Sequence, residues 1–300
     1  MIPAKRANLG ASLCIASLAF LVLAGGCRSS HSGKIIIGSK NFSEQVILAE
    51  LMAQHIEGRL HIPVERRFYL AGSYIAHQAV LADRIDVYPE YTGTALTAIL
   101  KEAPNWDANI VFNEVHERYE KRFHLTVIRP FGFNNSFAMV VRGADARRLG
   151  ITRLSQAKMF APQWRFGCGY EFLERPDGYQ GFIRRYGFAF KDTRVMDLGL
   201  LYRALQDHQV DLAAGNGTDG LITALDMRVL DDDLHYFPPY EAVPIVNDDA
   251  LRRLPQLAST LQELANTISD EEMRRMNYAV DGERRDVMDV VREFRMKKGL

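Results

Sequence analysis

Apolar and polar positions divide the chain into an opening apolar run and then a steady alternation of short strands and helices. Leu9 to Leu23 is uncharged and mostly apolar. After a polar stretch, Lys34-Ile35-Ile36-Ile37 reads as a short buried strand and Gly38-Ser39-Lys40-Asn41 as a turn. Ser43 opens an amphipathic helix with Val46, Ile47, Leu51 and Met52 on one side. The pattern then predicts a strand at 64–70, a helix from Ser73 to about Ala82, a strand at 85–88 and a helix after Tyr91. Strands and helices alternating through short connectors predict a parallel sheet covered on both faces. Ligands in such folds sit beyond the carboxyl ends of the strands, here the loops at 38–42, 71–73 and 89–94.

A second α/β region is expected from about Phe137 to Phe237, with a faint copy of the first inside it. The stretch from Ala79 to Val87 is echoed, with one inserted residue, by Arg203 to Leu212. In both, a helix ends near an Asp, a short apolar strand with an inner Asp (Asp86, Asp211) follows, and a loop leads into another helix. Five residues beyond the inner Asp stand Tyr91 and Asn216. The copy predicts two similar lobes facing each other; chance similarity of so short a match is the alternative. Leu254 to Leu300 reads as helical, with capping-box spacing at Ser269-Asp270-Glu271-Glu272 and Gly299 at the last helix end, and is expected to return to the first lobe.

The first 27 residues read as an export signal: Lys5 and Arg6 supply the positive start, an apolar run follows, and Ala24-Gly25-Gly26 precede Cys27. Small residues ending at a Cys resemble a bacterial lipobox, with Ala24 where Leu is usual, so Cys27 is the expected site of lipidation. A plain secreted protein and an uncleaved anchor are the alternatives, although the apolar run is shorter than the roughly 20 residues of a spanning helix. All three put the domain outside the cytoplasm. The expected organisation is a signal peptide (1–26), a lipidated tether (27–33), lobe 1 (34–136), lobe 2 (137–238) and a return to lobe 1 (239–300).

With 300 residues, 47% hydrophobic and 25% charged, the chain can bury a full core. It carries 37 basic and 37 acidic residues, and losing Lys5 and Arg6 with the signal leaves a net of −2. The charges form no basic stripe, which argues against a nucleic-acid partner. Of the three cysteines, Cys14 leaves with the signal and Cys27 is expected to carry lipid. Cys168 then stands alone, without a disulfide, and reads as a buried small side chain rather than a nucleophile.

Five ordered motifs carry a resemblance. They are Gly38-Ser39-Lys40-Asn41-Phe42-Ser43-Glu44-Gln45, Tyr88-Pro89-Glu90-Tyr91-Thr92-Gly93-Thr94, Phe131-Gly132-Phe133-Asn134-Asn135, Thr218-Asp219-Gly220 and Phe237-Pro238-Pro239-Tyr240. Together they resemble the glycine betaine/choline/proline-betaine substrate-binding lipoproteins of osmoprotectant ABC importers. The resemblance implies a two-lobed α/β periplasmic binding protein of the hinged, type II class, with a parallel or mixed sheet in each lobe and two crossing strands between them. It implies a quaternary-ammonium ligand, an ABC permease and its ATPase as partners, a membrane reached through lipid on Cys27, and no cofactor or metal.

A trimethylammonium group offers no hydrogen-bond donor, so a protein must hold it with aromatic faces, at roughly 0.5–2 kcal/mol per ring. By resemblance these are Tyr91, Tyr240 and Phe137, the last in place of the family's Tyr. A betaine carboxylate would meet Lys40, Thr94 and Arg175, with Gln45 and Asn135 as further contacts. Asn216 stands where characterised betaine binders place another Tyr. One ring fewer costs on the order of 1 kcal/mol, or up to tenfold in affinity, and an amide there opens the site to larger betaines such as carnitine or ergothioneine. His77 reads as a helix-surface or packing residue, and Asp86 and Asp211 as capping or loop-orienting residues. Two other function classes stay open. An exported hydrolase acting on a small cationic substrate would be expected to carry a nucleophile elbow or a His-Glu-x-x-His motif, and neither is present. A ligand-sensing module for a membrane receptor would share the same fold.

Overall fold

The computed structural model describes residues 33–300, so the signal peptide, Cys27 and the tether before Gly33 lie outside the described residues. Lys34–Leu300 form one compact unit. Among the described residues, ten strands make two five-stranded sheets. The first holds β1 (Ile35–Gly38), β2 (Val64–Arg67), β3 (Val87–Tyr91), β4 (Leu125–Val127) and β10 (Ala242–Asn247), in the order β2-β1-β3-β10-β4. The second holds β5 (Phe137–Arg142), β6 (Arg165–Cys168), β7 (Asp192–Val195), β8 (Leu212–Asn216) and β9 (Met227–Leu230), in the order β7-β6-β8-β5-β9.

The sheets share one plan. Each has three parallel strands, β2-β1-β3 and β7-β6-β8. Beside the third runs an antiparallel strand contributed by a distant part of the chain, β10 on β3 and β5 on β8. The echo seen in the sequence corresponds to β3 and β8, which occupy equivalent places and end on Tyr91 and Asn216. The inner aspartates do equivalent jobs. Asp86 accepts from the Ile36 amide at 2.7 Å and Asp211 from the Arg165 amide at 2.9 Å, each fastening the entry to its strand onto the neighbouring one.

Both sheets are mixed, one of the two forms that the resemblance implies, and two element ends differ from the sequence pattern. The predicted strand at 64–70 stops at Arg67 because Tyr69 turns to φ +63°, outside the extended range. The predicted strand at 85–88 instead runs from Val87 to Tyr91, because β10 pairs along it from Tyr91↔Ala242 to Val87↔Val246. Pro89 faces Pro244 in that ladder; neither has an N–H, so their rung forms without a hydrogen bond between them.

The helix Ser43–Leu60 is buried nearly all round, since β1 and β3 cover one side and the C-terminal helices Gln256–Gln262, Asp270–Asp281 and Val287–Lys298 cover the other. Its polar Glu50 is buried with its charge met by Arg66 Nε at 2.7 Å. The capping box forms as read: Ser269 Oγ accepts from the Glu272 amide at 3.3 Å and Glu272 Oε2 from the Ser269 amide at 3.0 Å. Gly299 closes the last helix at φ +70°. The two segments that pass between the sheets lie antiparallel, tied by Asn135 N to Tyr240 O at 3.0 Å and Phe131 N to Ala242 O at 2.9 Å.

Candidate ligand-binding site

Between the two sheets, beyond the carboxyl ends of their parallel strands, lies a cavity of about 470 Å³. This is where open α/β sheets place ligands. The turn after β1 brings Lys40 and Phe42 to it. The end of β3 brings Tyr91, and the helical turn that starts at Thr92 brings Thr94. From the second sheet come Phe137 at the start of β5, Phe172 and Arg175 after β6, and Asn216 at the end of β8. Tyr240 arrives from the segment leading into β10.

Eight of the nine residues expected from the sequence line this cavity: Lys40, Tyr91, Thr94, Asn135, Phe137, Arg175, Asn216 and Tyr240. Gln45 stands behind the wall, fully buried, with its Oε1 receiving the Lys40 amide at 3.5 Å. Phe42, Tyr74, Tyr170, Glu171 and Phe172 also reach the cavity without having been singled out. Phe42 belongs to the motif Gly38–Gln45, whereas nothing in the local pattern marks the others.

The rings are held from behind. Tyr91 donates its hydroxyl to Glu44 Oε1 at 2.7 Å and stacks on Phe42 with centroids 6.4 Å apart. Tyr240 donates to Asp177 Oδ2 at 2.5 Å, and Phe137 meets its edge at 5.5 Å and that of Phe172 at 4.9 Å. Hydroxyls engaged outward leave aromatic surface toward the cavity.

Both expected cations carry an internal counter-ion. Lys40 Nζ lies 2.5 Å from Glu90 Oε1 and 3.1 Å from Ser73 Oγ, and sits 4.6 Å from the Tyr91 centroid. Arg175 grips Asp177 in bidentate fashion through Nε at 2.8 Å and Nη2 at 2.5 Å, and lies 5.1 Å from the Phe137 centroid. Nη1 of Arg175 has no hydrogen-bond partner among the described residues. Burial opposes the charge of Asp177, yet the guanidinium and the Tyr240 hydroxyl hold its carboxyl below the usual range. Such pairing is what buried charges require.

Glu44 is the junction of the site. Besides Tyr91 it receives Nδ2 of Asn135 at 2.7 Å, Nδ2 of Asn277 at 2.9 Å and the hydroxyl of Thr218, which belongs to the loop after β8. Loss of hydration raises its pKa against the pull of these donors. A second tie crosses the cleft near Arg175. Glu171 Oε1 accepts from the Tyr74 amide at 3.4 Å, at the start of the helix Ser73–Leu81, which has no side-chain cap of its own.

His77 does not face the cavity. It is buried among Tyr119 and Phe123, with ring centroids 5.6 and 4.7 Å away, and loss of hydration lowers its pKa to about 4. Cys168 is buried, and its thiol is pushed up to about 11, as expected of an inert side chain.

The pattern describing the substrate-binding domain of ABC-type glycine betaine transport systems matches residues 33–297. The carnitine transport binding protein OpuCC of Listeria monocytogenes is 32% identical over 274 residues, covering 91% of this chain and 89% of that protein. The ergothioneine transport permease/ergothioneine binding protein EgtU of Helicobacter pylori (strain G27) is 31% identical over 267 residues; 89% of this chain aligns, spanning about half of that relative, 48%. The crystal structure of a glycine betaine/carnitine/choline ABC transporter superposes with a TM-score of 0.73 at 34% identity, covering 88% of this chain and 98% of that one. The chain therefore belongs to the substrate-binding domain family of ABC-type glycine betaine transport systems, the family its motifs resemble.

Proposed function

We infer that this protein is the extracytoplasmic solute receptor of an ABC importer, capturing a quaternary-ammonium compound between its lobes and delivering it to the permease and ATPase. The observation that carries this reading is the convergence of Tyr91, Phe137 and Tyr240, from three separate segments, on one cavity between the sheets. Their faces suit a diffuse cation that cannot donate a hydrogen bond. Arg175 and Thr94, which line the same cavity, would receive an acidic end of the ligand.

Opening requires the lobes to part along the two crossing segments. It breaks the contacts of Thr218 with Glu44 and of Glu171 with the Tyr74 amide, which re-form when the lobes close. A ligand that touches both lobes favours the closed form by its differential affinity. Glycine betaine, choline, proline betaine, carnitine and ergothioneine are the compounds to test. A thermal-shift screen followed by calorimetry is expected to show at least one of them stabilising the protein in proportion to its affinity; no shift with any of them would overturn the reading. Attachment to the membrane through lipid on Cys27 is tested by Cys27→Ser, expected to release the protein from the membrane fraction.

A further inference from the structure

Beside the aromatic cavity lies a second, smaller pocket of about 160 Å³, room for several water-sized groups at about 30 Å³ each. Its wall carries Glu44, Asp219 and, at the mouth, Asp281, with no Lys, Arg or His among the described residues. Carboxylates alone would make only a solvated acidic patch. Two buried amides set this one apart.

Asn135 and Asn277 are 5% and 4% exposed, line the pocket, and both turn Nδ2 onto Glu44. Only the nitrogen of an amide donates, so these bonds fix its orientation. Both Oδ1 atoms are left without a hydrogen-bond partner among the described residues. Buried acceptors in that state are uncommon and costly, and point to a missing donor. The carboxylates agree: loss of hydration raises Glu44 and Asp281 and pushes Asp219 up to about 7.

The pocket is continuous in its walls with the main cavity, since Asn135 and Asn216 line both. Asn216 ends β8 as Tyr91 ends β3, so a compact amide instead of a ring stands where the two spaces meet. Among the described residues no group of three or more His, Cys, Asp or Glu is placed to hold a metal ion. A molecular cation fits better, because it brings N–H donors to wall groups that accept.

We propose that this pocket is a second subsite that receives a hydrogen-bond-donating cation, a primary ammonium or similar N–H-bearing group, at the far end of a ligand whose quaternary nitrogen sits among the rings. The proposal rests on the quaternary-ammonium reading of the main cavity. It makes the preferred ligand a trimethylammonium compound with a basic tail.

The test is calorimetric titration of the purified protein with n-propyltrimethylammonium and (3-aminopropyl)trimethylammonium, which differ only in the terminal ammonium. The aminopropyl compound is expected to bind about tenfold tighter or more. In Asp219→Asn, and separately in Asn216→Tyr, which fills the junction without touching the acids, the ratio between the two is expected to fall toward one. Equal binding of both compounds to the unaltered protein, or a ratio unchanged in both variants, overturns the second subsite while leaving the main cavity's assignment standing. Binding of neither compound overturns both.

Discussion

Tyr91 joins two roles that substitution can separate. Its ring faces the cavity, and its hydroxyl donates to the buried Glu44 at 2.7 Å. Tyr91→Phe keeps the face and removes one of the four side chains that donate to that carboxylate. The loss of a hydrogen bond to a buried acidic group costs about 1–3 kcal/mol of stability. At about 2–4 °C per kcal/mol for a protein near this size, the melting temperature should fall by several degrees, while ligand affinity changes by about threefold or less. Tyr91→Ala removes the face as well, and with it roughly 0.5–2 kcal/mol of cation–π attraction plus the packing on Phe42. Its dissociation constant should rise about tenfold or more. Calorimetry reads affinity and scanning calorimetry reads stability. An unchanged dissociation constant in Tyr91→Ala would refute the role of the ring, and an unchanged melting temperature in Tyr91→Phe would refute the role of Glu44 as an anchor.

His77 gives a pH prediction with a definite sign. Its folded-state pKa of about 4 lies below the ordinary 6.5, so between those values the unfolded chain binds a proton that the native state refuses. This contribution to stability is full above pH 6.5 and is lost as pH falls toward 4, amounting to about 3 kcal/mol. Denaturant titrations at pH 7 and pH 4.5 should show a smaller acid loss in His77→Leu than in the unaltered protein, and equal losses would contradict the assignment. Asp177→Asn leaves the Arg175 guanidinium buried without its counter-ion. It should cost about 3 kcal/mol or more, on the order of 10 °C in melting temperature; a shift of less than about 2 °C would show that the pair is not the anchor described.

The alternation of strands and helices was legible because β1, β3 and β8 are near-continuous apolar runs, as strands buried on both faces must be. The alternation alone pointed to parallel sheets, and only the resemblance allowed mixed ones, since the partners that set the register of β3 and β8 come from β10 and β5, far along the chain. The site shows the same division. Tyr91, Phe137 and Tyr240 stand in or beside recognisable motifs, and the paired aspartates Asp86 and Asp211 betrayed the internal repeat. Lys40 and Arg175 read as partners for a ligand carboxylate, and their internal counter-ions went unread, although Glu90 lies one residue before Tyr91 and Asp177 two residues after Arg175. Glu44 was beyond reach. A carboxylate in the first turn of a helix ordinarily faces water, and only the convergence of Asn135, Thr218 and Asn277 from three other segments makes this one a buried hub.

Recognition of a quaternary cation by aromatic faces is tested most directly by comparing choline with 3,3-dimethylbutan-1-ol, its uncharged carbon analogue of nearly the same shape. With two or three rings contributing roughly 0.5–2 kcal/mol each, choline is expected to bind the purified protein at least about tenfold more tightly in calorimetry. Equal affinity for the two would mean that shape and apolar burial alone fill the cavity, and would contradict the account.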